Sequence, residues 1–389
     1  MRIAVESGSV IDNPLVHEYD VACQRSGKVA SSLKKRRPAG IFFAALLVII
    51  LYFLFFPYPA GRELVARPVW AEPLPALGST TGSAPTTPVA PFQLDAVFGF
   101  VSGNGSVSYI GSTPYRVALS ESGFVSFSRL STDWILRDVT GARVTSFSGS
   151  GYPLLSPEGS RFFNVKTDLS GITELDRSGE VVWSRDFPAM MTSAAIRGDA
   201  VVVGLLDGTL LLLNRQGSPV FTDPPGPARI PVIMGAAVAN DGSLIASLGG
   251  IDPQYLSVLR RRGSGFQPVA RQAVASDFRR EVRIAFSPDA RFLVFEAKDG
   301  ADIFDPAAPR LSAVGLRGAL AGIAFPGAGR YAAVAGEDGI HADLAIVSPS
   351  GVPLVHESFS AARLFLGSVD GQLLLAWDGM LARIDVGAL

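Results

Sequence analysis

The sequence predicts an all-β fold, a β-propeller of repeated four-stranded sheets, preceded by a single transmembrane helix. Three observations predict it: an uncharged run of eighteen residues near the N-terminus, a later repeat of about forty residues, and Gly-containing turns in nearly every repeat. They divide the chain into a cytoplasmic tail at 1–38, a transmembrane helix at 39–57, a Pro-rich linker at 58–92 and a β-propeller domain at 93–389.

The transmembrane helix is predicted from the stretch Ala39 to Phe56, which carries no charge. As a helix it measures roughly 27 Å, which spans a hydrocarbon core of about 30 Å once Pro57 and Tyr58 are included. Six Lys or Arg residues lie in the fifteen positions before it and two in the fifteen after it, so the N-terminus is expected in the cytoplasm. A cleaved signal peptide is the alternative, although both the leader and the apolar run are long for one.

The segments on either side of this run have compositions that do not form a core. Residues 1–38 are polar, with scattered charges, and hold the only cysteine, Cys23. Residues 58–92 are rich in Pro, Ala, Ser, Thr and Gly, which predicts an extended tether. The outer domain therefore has no disulfide, and this favours a bacterial inner-membrane protein with its large domain on the periplasmic side.

A turn between the first two strands of each unit recurs along the domain at steps of 36 to 48 residues. The seven turns are Ser122-Gly123, Glu158-Gly159, Arg197-Gly198, Asp241-Gly242, Asp289-Ala290, Ala328-Gly329 and Asp370-Gly371. They predict seven blades, with six or eight as alternatives because strands at 94–112 can be counted either way. Ring closure is expected to use Ala96–Phe100 or Ser106–Ile110 to complete the blade begun by Arg363–Leu366.

The inner strands show the chemistry expected of a sheet that is covered on both faces. The stretch Val201 to Leu213 is apolar on both strand faces, on either side of an Asp207-Gly208 turn. Asp-Gly favours tight hairpin turns because glycine accepts a positive φ. Neighbouring blades are therefore expected to cover both faces of each sheet.

Several units resemble known propeller repeats. Ile284 to Phe295 resembles the opening of WD-repeat and TolB-type blades, and Leu155 to Gly159 is a weaker copy. Gly198 to Asn214 is similar to the quinoprotein-type repeat, and Gly179 to Trp183 to that family's tryptophan strand. The resemblance covers most of residues 115–389 and implies blades, not an activity. Only one unit has the tryptophan strand, and Ala290 replaces the usual glycine, so the chain fits neither pattern fully.

The chain lacks the residue patterns of common enzyme sites. No Gly-x-Ser-x-Gly elbow occurs, and the three histidines, His17, His341 and His356, include one on the other side of the membrane. Quinone-dependent dehydrogenases that share the repeat bind their cofactor near adjacent cysteines, and the domain has no cysteine. The sequence therefore predicts no catalytic residues, no cofactor, no metal and no enzyme activity. A net charge of -1 gives no attraction to nucleic acid.

An arginine cluster is the one candidate binding site. It consists of Arg260, Arg261, Arg262, Arg279, Arg280 and Arg283, with Arg271 between them, at the junction of two units. Guanidinium groups bind carboxylates and phosphates in bidentate fashion, so the cluster could form a basic rim for such a partner. The alternative is a solvated loop in a chain with 29 Arg and 5 Lys, and that abundance of arginine favours the alternative.

Two classes of function remain open at this stage. The first is a protein-interaction platform in the cell envelope, with other envelope proteins as partners and the membrane contacted through residues 39–57. The second is a propeller that senses or acts on a small molecule or a glycan. The lack of a cluster of titratable groups favours the first.

Overall fold

The computed structural model describes residues 46–47, 64–78 and 88–388 of the 389-residue chain. Contacts divide the chain into two units, Met1–Gly61 and Arg62–Leu389, and the fold described below belongs to the second. The predicted membrane helix at 39–57 lies outside the described residues, apart from the helical residues Leu46 and Leu47. Among the residues that are described, no helix has the length and hydrophobicity needed to cross a bilayer. The anchor stays a prediction.

Residues 64–388 form eight antiparallel sheets, seven with four strands and one with three. We number them as blades 1 to 8. Blade 1 is β2 (Val89–Leu94), β3 (Val97–Ser102) and β4 (Val107–Ser112); blade 2 is β5 (Arg116–Ser120), β6 (Gly123–Phe127), β7 (Asp133–Asp138) and β8 (Arg143–Ser148). Blade 3 is β9 (Tyr152–Leu155), β10 (Phe162–Val165), β11 (Gly171–Leu175) and β12 (Val181–Asp186); blade 4 is β13 (Met191–Arg197), β14 (Ala200–Leu205), β15 (Leu210–Leu213) and β16 (Pro219–Asp223).

The remaining four blades follow in chain order. Blade 5 is β17 (Ile230–Val238), β18 (Leu244–Ile251), β19 (Gln254–Arg262) and β20 (Gly265–Val274); blade 6 is β21 (Ile284–Phe286), β22 (Leu293–Ala297), β23 (Gly300–Asp305) and β24 (Arg310–Gly315). Blade 7 is β25 (Ala319–Ala324), β26 (Ala332–Glu337), β27 (His341–Val347) and β28 (Pro353–Ser360), with a tight turn of positive φ at Pro326–Gly329 between its first two strands. Blade 8 is β29 (Leu364–Val369), β30 (Gln372–Trp377), β31 (Met380–Ala388) and, at its outer edge, β1 (Leu64–Pro73).

The propeller has eight blades, so the prediction of seven is wrong and its alternative of eight is correct. The seven turns read from the sequence all lie between the first two strands of blades 2 to 8. Blade 1, at residues 89–112, was not counted because its first turn, Asp95-Ala96, contains no glycine and, unlike Asp289-Ala290, does not lie in a recognisable blade motif. Asp95 itself adopts the positive φ of 56° that glycine supplies elsewhere.

Ring closure uses a strand that the sequence had assigned to the linker. β1 pairs antiparallel with β31, from Leu64 opposite Ala388 to Pro73 opposite Met380. The assignment of 58–92 to a tether is therefore wrong for residues 64–73, and also for residues 89–92, which begin β2. The proposed closure by Ala96–Phe100 or Ser106–Ile110 is wrong as well. The prolines of β1 suggested a linker, but an outermost strand tolerates proline because its outer N–H groups need no partner.

Successive turns of an antiparallel blade alternate between two faces of the ring. The hairpin face carries the first and third turns of blades 2 to 7, and the connection face carries the second turns and the segments that join one blade to the next. In blade 5 the β19–β20 register runs from Arg262 opposite Gly265 at the hairpin face to Gln254 opposite Val274 at the connection face. The two faces are thus separated by the length of a strand.

The hydrophobic core consists of layers between adjacent blades. Val201, Val203 and Leu213 pack in the layer between blades 3 and 4, and Val202 and Leu212 pack in the layer between blades 4 and 5. This confirms the prediction that the stretch from Val201 to Leu213 is covered on both faces. Full burial of each such side chain is worth about 1.5–3 kcal/mol.

The innermost strands converge on a central channel and are rich in alanine and glycine. A Cβ at Gly322 in β25 would lie 2.8 Å from the Cβ of Leu366 in β29, closer than side-chain atoms pack. Glycine at this point allows the backbones of blades 7 and 8 to approach each other. The channel wall therefore combines small residues with larger apolar ones such as Ile323 and Phe365, and charged groups reach the channel mainly from the connections between blades.

Candidate binding surfaces

The structure divides the predicted arginine cluster between the two faces of the ring. Arg260, Arg261 and Arg262 end β19 at the hairpin face, whereas Arg279 to Arg283 lie in the segment between β20 and β21 at the connection face. A strand of nine residues separates the two groups by roughly 25 Å. The six candidate arginines therefore do not form a single basic rim.

The hairpin-face group is only loosely held. Arg260 donates from Nη2 to the carbonyl oxygen of Pro306, 3.2 Å away in blade 6. The Arg261 guanidinium lies over the ring of Phe266 at 5.7 Å, and Arg262 is exposed. Anion binding by Arg261 and Arg262 stays a prediction, and their exposure is equally consistent with solvated surface.

In the connection-face group, Arg280 holds a buried carboxylate. Its guanidinium donates to both oxygens of Glu296, at 3.0 and 2.6 Å, while the Glu296 side chain is 3% exposed. The hydrogen bond to Glu296 raises the pKa of Arg280. Arg271 similarly bridges blades 5 and 4 through Asp223 at 2.7 Å. These two arginines join parts of the ring, a role that spacing in the sequence could not reveal.

Arg283 faces a cavity of about 660 Å³ at the centre of the ring, which we call the channel pocket. The pocket is lined by Arg283, Gln93, Asp95, Glu337 and Arg363 around an apolar floor of Pro91, Leu94, Leu119, Leu320, Ile323, Leu364, Phe365 and Leu366, with Ala319, Ala321 and Gly322 completing the wall. The sequence identified Arg283 but not the residues opposite it, because they belong to blades 1, 7 and 8.

The charges around the channel pocket differ in how far they are neutralised. Glu337 accepts the backbone N–H of Leu364 at 2.5 Å and lies 3.4 Å from Nη1 of Arg363. Glu281 lies two residues before Arg283 and is exposed to the channel. The surrounding protein limits hydration of the Glu281 carboxyl and raises its pKa, whereas the positive charge of Arg283 acts to lower that pKa. The side chains of Arg283 and Asp95 make no ion pair with any other described residue.

A second surface, on the connection face, is apolar and was not predicted. Met190, just before β13 of blade 4, Leu206, at the second turn of blade 4, and Ile230, at the start of β17 in blade 5, are 45%, 49% and 45% exposed, and we call them the apolar ridge. The N–H of Leu206 donates to the carbonyl of Met190 at 2.8 Å, which continues the pairing of β13 with β14. A Cβ at Gly208 would overlap Pro231, which places the start of β17 alongside. The ridge is thus continuous across the adjacent ends of blades 4 and 5.

Other exposed apolar residues at turns also concentrate on the connection face. These residues are Leu77, Tyr115, Leu130 and Ile340. In the described part of the chain, the exposed apolar residue at a hairpin-face turn is Val352. Large apolar groups at solvent-exposed turns are typical of surfaces that contact other macromolecules. Leu206 and Ile340 are adjacent in the sequence to the Asp207-Gly208 and Asp338-Gly339 turns. A large apolar residue next to an Asp-Gly turn is the sequence pattern that could have predicted this exposed surface.

The two histidines of the domain both lie in blade 7, each near an aspartate. Nδ1 of His341 is 3.7 Å from Asp338, and Nε2 of His356 is 3.9 Å from Asp343. Within residues 64–78 and 88–388, no three His, Cys, Asp or Glu side chains come together in a way that could hold a metal ion.

The ring of eight antiparallel sheets, closed by β1 and packed blade on blade, defines a β-propeller protein. A family model described as "beta-propeller protein" matches residues 32–389, and the chain belongs to this family. It is also 20% identical over 365 residues to an uncharacterized protein of Treponema pallidum (strain Nichols), covering 92% of this chain and 96% of that protein.

Two solved structures are similar to this fold. BamB from Moraxella catarrhalis matches with a TM-score of 0.57 and 18% identity, over 82% of this chain and all of that one. The computationally designed Ika8 protein matches with the same TM-score and 16% identity, again over 82% of this chain and all of the designed chain. At these identities the similarity establishes the fold alone.

Proposed function

We propose that this protein is a membrane-anchored, extracytoplasmic interaction platform, and that the apolar ridge on its connection face docks a partner protein of the cell envelope. The observation that carries the proposal is the asymmetry of the two faces, because exposed apolar residues at turns concentrate on one of them. The WD-repeat and quinoprotein-type resemblances support a ring of rigid blades, on which such a surface would be preorganised.

The partner best suited to the ridge is a folded protein with an apolar patch of its own. Met190, Leu206 and Ile230 lie at the adjacent ends of blades 4 and 5, which are joined there by a hydrogen bond and close packing, so they present a fixed surface. Arg229, beside Ile230, pairs with Asp252 at 2.9 Å, and the exposed carboxylate of Asp207, beside Leu206, accepts the backbone N–H of Thr209 at 2.9 Å. The ridge therefore offers little charge for an ionic partner, and burial of apolar area supplies the binding energy.

The anchor in this proposal rests on the uncharged run at 39–57 and on the basic residues before it. Alkaline phosphatase folds to an active enzyme only outside the cytoplasm. A fusion of this phosphatase to Leu389, expressed in bacteria, is expected to be active. Full-length fusion protein without phosphatase activity would reverse the predicted orientation.

The ridge is tested by a triple variant, Met190→Ser, Leu206→Ser and Ile230→Ser. A photo-crosslinking amino acid at Leu206 identifies the partner, and binding of that purified partner to the triple variant is then measured. We expect affinity to fall by at least about tenfold, because losing burial of three apolar groups of this size exceeds 1.4 kcal/mol. Melting temperature should change little, because the substituted side chains are half exposed.

The control variant is Val181→Ser, Val182→Ser and Val220→Ser, which removes three similarly exposed apolar residues from the outer strands β12 and β16. This variant is expected to bind the partner as the native protein does. Equal loss of affinity in both variants, or equal crosslinking from Leu206 and Val220, would show that the ridge is not the docking surface. Binding that weakens sharply with salt would instead favour the exposed arginines.

A further inference from the structure

The channel pocket contains two opposite charges that form no ion pair with another described residue, and these carry an inference beyond protein docking. Arg283 comes from the connection into blade 6, and Asp95 from the first turn of blade 1. Neither side chain makes an ion pair with another described residue, although the neighbouring arginines Arg280 and Arg363 each contact a glutamate. A ligand that brings one anionic and one cationic group would pair both charges at once.

The rest of the pocket wall fits the remainder of such a ligand. Ile323 and Phe365, half-buried residues of the innermost strands of blades 7 and 8, also line the pocket. The volume of about 660 Å³ falls within the range of about 300–1,000 Å³ that small-molecule sites occupy. The accessible wall is more polar than apolar, so the polar groups of a ligand would make most of its contacts and apolar side chains the remainder.

We infer that the channel pocket binds short zwitterionic peptides with apolar side chains, whose carboxylate pairs with Arg283 and whose ammonium group pairs with Asp95. A guanidinium group binds a carboxylate through two parallel hydrogen bonds, which favours the carboxylate at the arginine. An ammonium group is a compact donor of three hydrogen bonds and suits the aspartate. The apolar floor then contacts the side chains.

Charged groups near Arg283 and water around both charges compete with the ligand and limit the strength of binding. Glu281 stands beside Arg283 and interacts with its charge, and Arg363 shares Glu337 with the N–H of Leu364. Both Arg283 and Asp95 are also exposed to the water of the channel. Water weakens both expected ion pairs, and Glu281 also weakens the pair at Arg283. We therefore expect reversible binding of moderate affinity, as is typical of ligand sensing.

The test uses calorimetric titration of the full-length protein with the dipeptide Leu-Leu. N-acetyl-Leu-Leu lacks the ammonium group and Leu-Leu amide lacks the carboxylate, so each is expected to bind about tenfold more weakly than the free dipeptide. Asp95→Asn should weaken Leu-Leu about tenfold but leave N-acetyl-Leu-Leu unchanged. Arg283→Gln should weaken Leu-Leu similarly but leave Leu-Leu amide unchanged. Arg262→Gln, an exposed arginine on the hairpin face, is the control and should bind Leu-Leu normally.

The spacing between the two charges is measured with Leu-Gly-Leu and Leu-Gly-Gly-Leu, since each added residue lengthens an extended peptide by about 3.3–3.6 Å. One length should bind best. Absence of saturable binding by all three peptides would overturn the inference, as would affinities unaffected by Asp95→Asn and Arg283→Gln. Equal binding of Leu-Leu and N-acetyl-Leu-Leu would show that the ammonium group contributes nothing, so the pocket would bind only an anion and the inference would be wrong. The apolar-ridge variant should bind Leu-Leu normally, which separates this test from that of the docking surface.

Discussion

Replacing Glu174 by alanine is expected to destabilise the propeller by about 3–5 kcal/mol, because it leaves a buried guanidinium group without its counter-charge. Arg161 and Glu174 lie in blade 3 with side chains 2% and 8% exposed. Nε of Arg161 donates to one carboxylate oxygen at 2.8 Å and Nη2 to the other at 2.6 Å. Trp183 donates its indole N–H to the same carboxylate at 2.5 Å and would lose its acceptor as well.

Arg161 cannot reach water to compensate for this loss. Its Nη1 is fixed by the carbonyl of Gly198, at 3.1 Å in the first turn of blade 4, and its guanidinium lies over the ring of Phe163 at 4.9 Å. Urea unfolding at neutral pH measures the change in free energy. Asp186→Ala is the control, because it breaks the exposed Lys166–Asp186 pair of the same blade and should cost less than about 1 kcal/mol.

The double variant Arg161→Met, Glu174→Leu removes both charges. It therefore separates the free-energy cost of an unpaired buried charge from the contribution of the intact ion pair to stability. Replacing both partners by apolar groups of similar size is often neutral or stabilising. We therefore expect the double variant to be more stable than Glu174→Ala alone. A single variant that unfolds within about 1 kcal/mol of the native protein would show that Arg161 finds another partner.

Removing β1 is the second change with a large expected effect. Replacing residues 64–73 by a Gly/Ser linker of equal length should lower the melting temperature by roughly 6–10 °C. Removing a packed tryptophan usually costs about 3–5 kcal/mol, and each kcal/mol lowers the melting temperature of a protein of this size by roughly 2 °C. Trp70 contributes most, because its indole donates to the carbonyl of Gly103 at 3.2 Å and so joins β1 to blade 1.

The same variant allows a test by addition. A synthetic peptide with the sequence of residues 64–73 is expected to restore the melting temperature, because β31 offers it an open antiparallel edge. A peptide with Ser in place of Trp70 should restore less. If the linker variant melts as the native protein does, β1 contributes nothing to closure, and blade 8 is stable with three strands, as blade 1 is.

The ion-pair partners of the candidate arginines could not be predicted from the sequence. The sequence identified Arg280 and Arg283 as neighbours, and both lie at the connection face. It could not show that Arg280 is committed to Glu296 while Arg283 faces the channel pocket. Pairing depends on contacts between residues distant in the sequence, and Asp95, the other unpaired charge of the pocket, stands 188 residues before Arg283 by subtraction.

The sequence by itself determined the blades, because their signals are local. A glycine, or a blade motif such as the one from Ile284 to Phe295, marks each first turn from Ser122-Gly123 to Asp370-Gly371, and apolar residues on both strand faces mark sheets covered on two sides. Where both signals were absent, as at Asp95-Ala96 in blade 1, the count of blades was wrong by one.

Only the tertiary structure decided how the ring closes, which arginines are free and which face is apolar. Closure pairs β1 with β31, two strands at opposite ends of the domain, and no local pattern reports so distant a partner. The apolar ridge likewise depends on residues at the ends of two neighbouring blades meeting on one face. Local chemistry fixes each blade, whereas the geometry of packing eight of them around one axis fixes the surfaces.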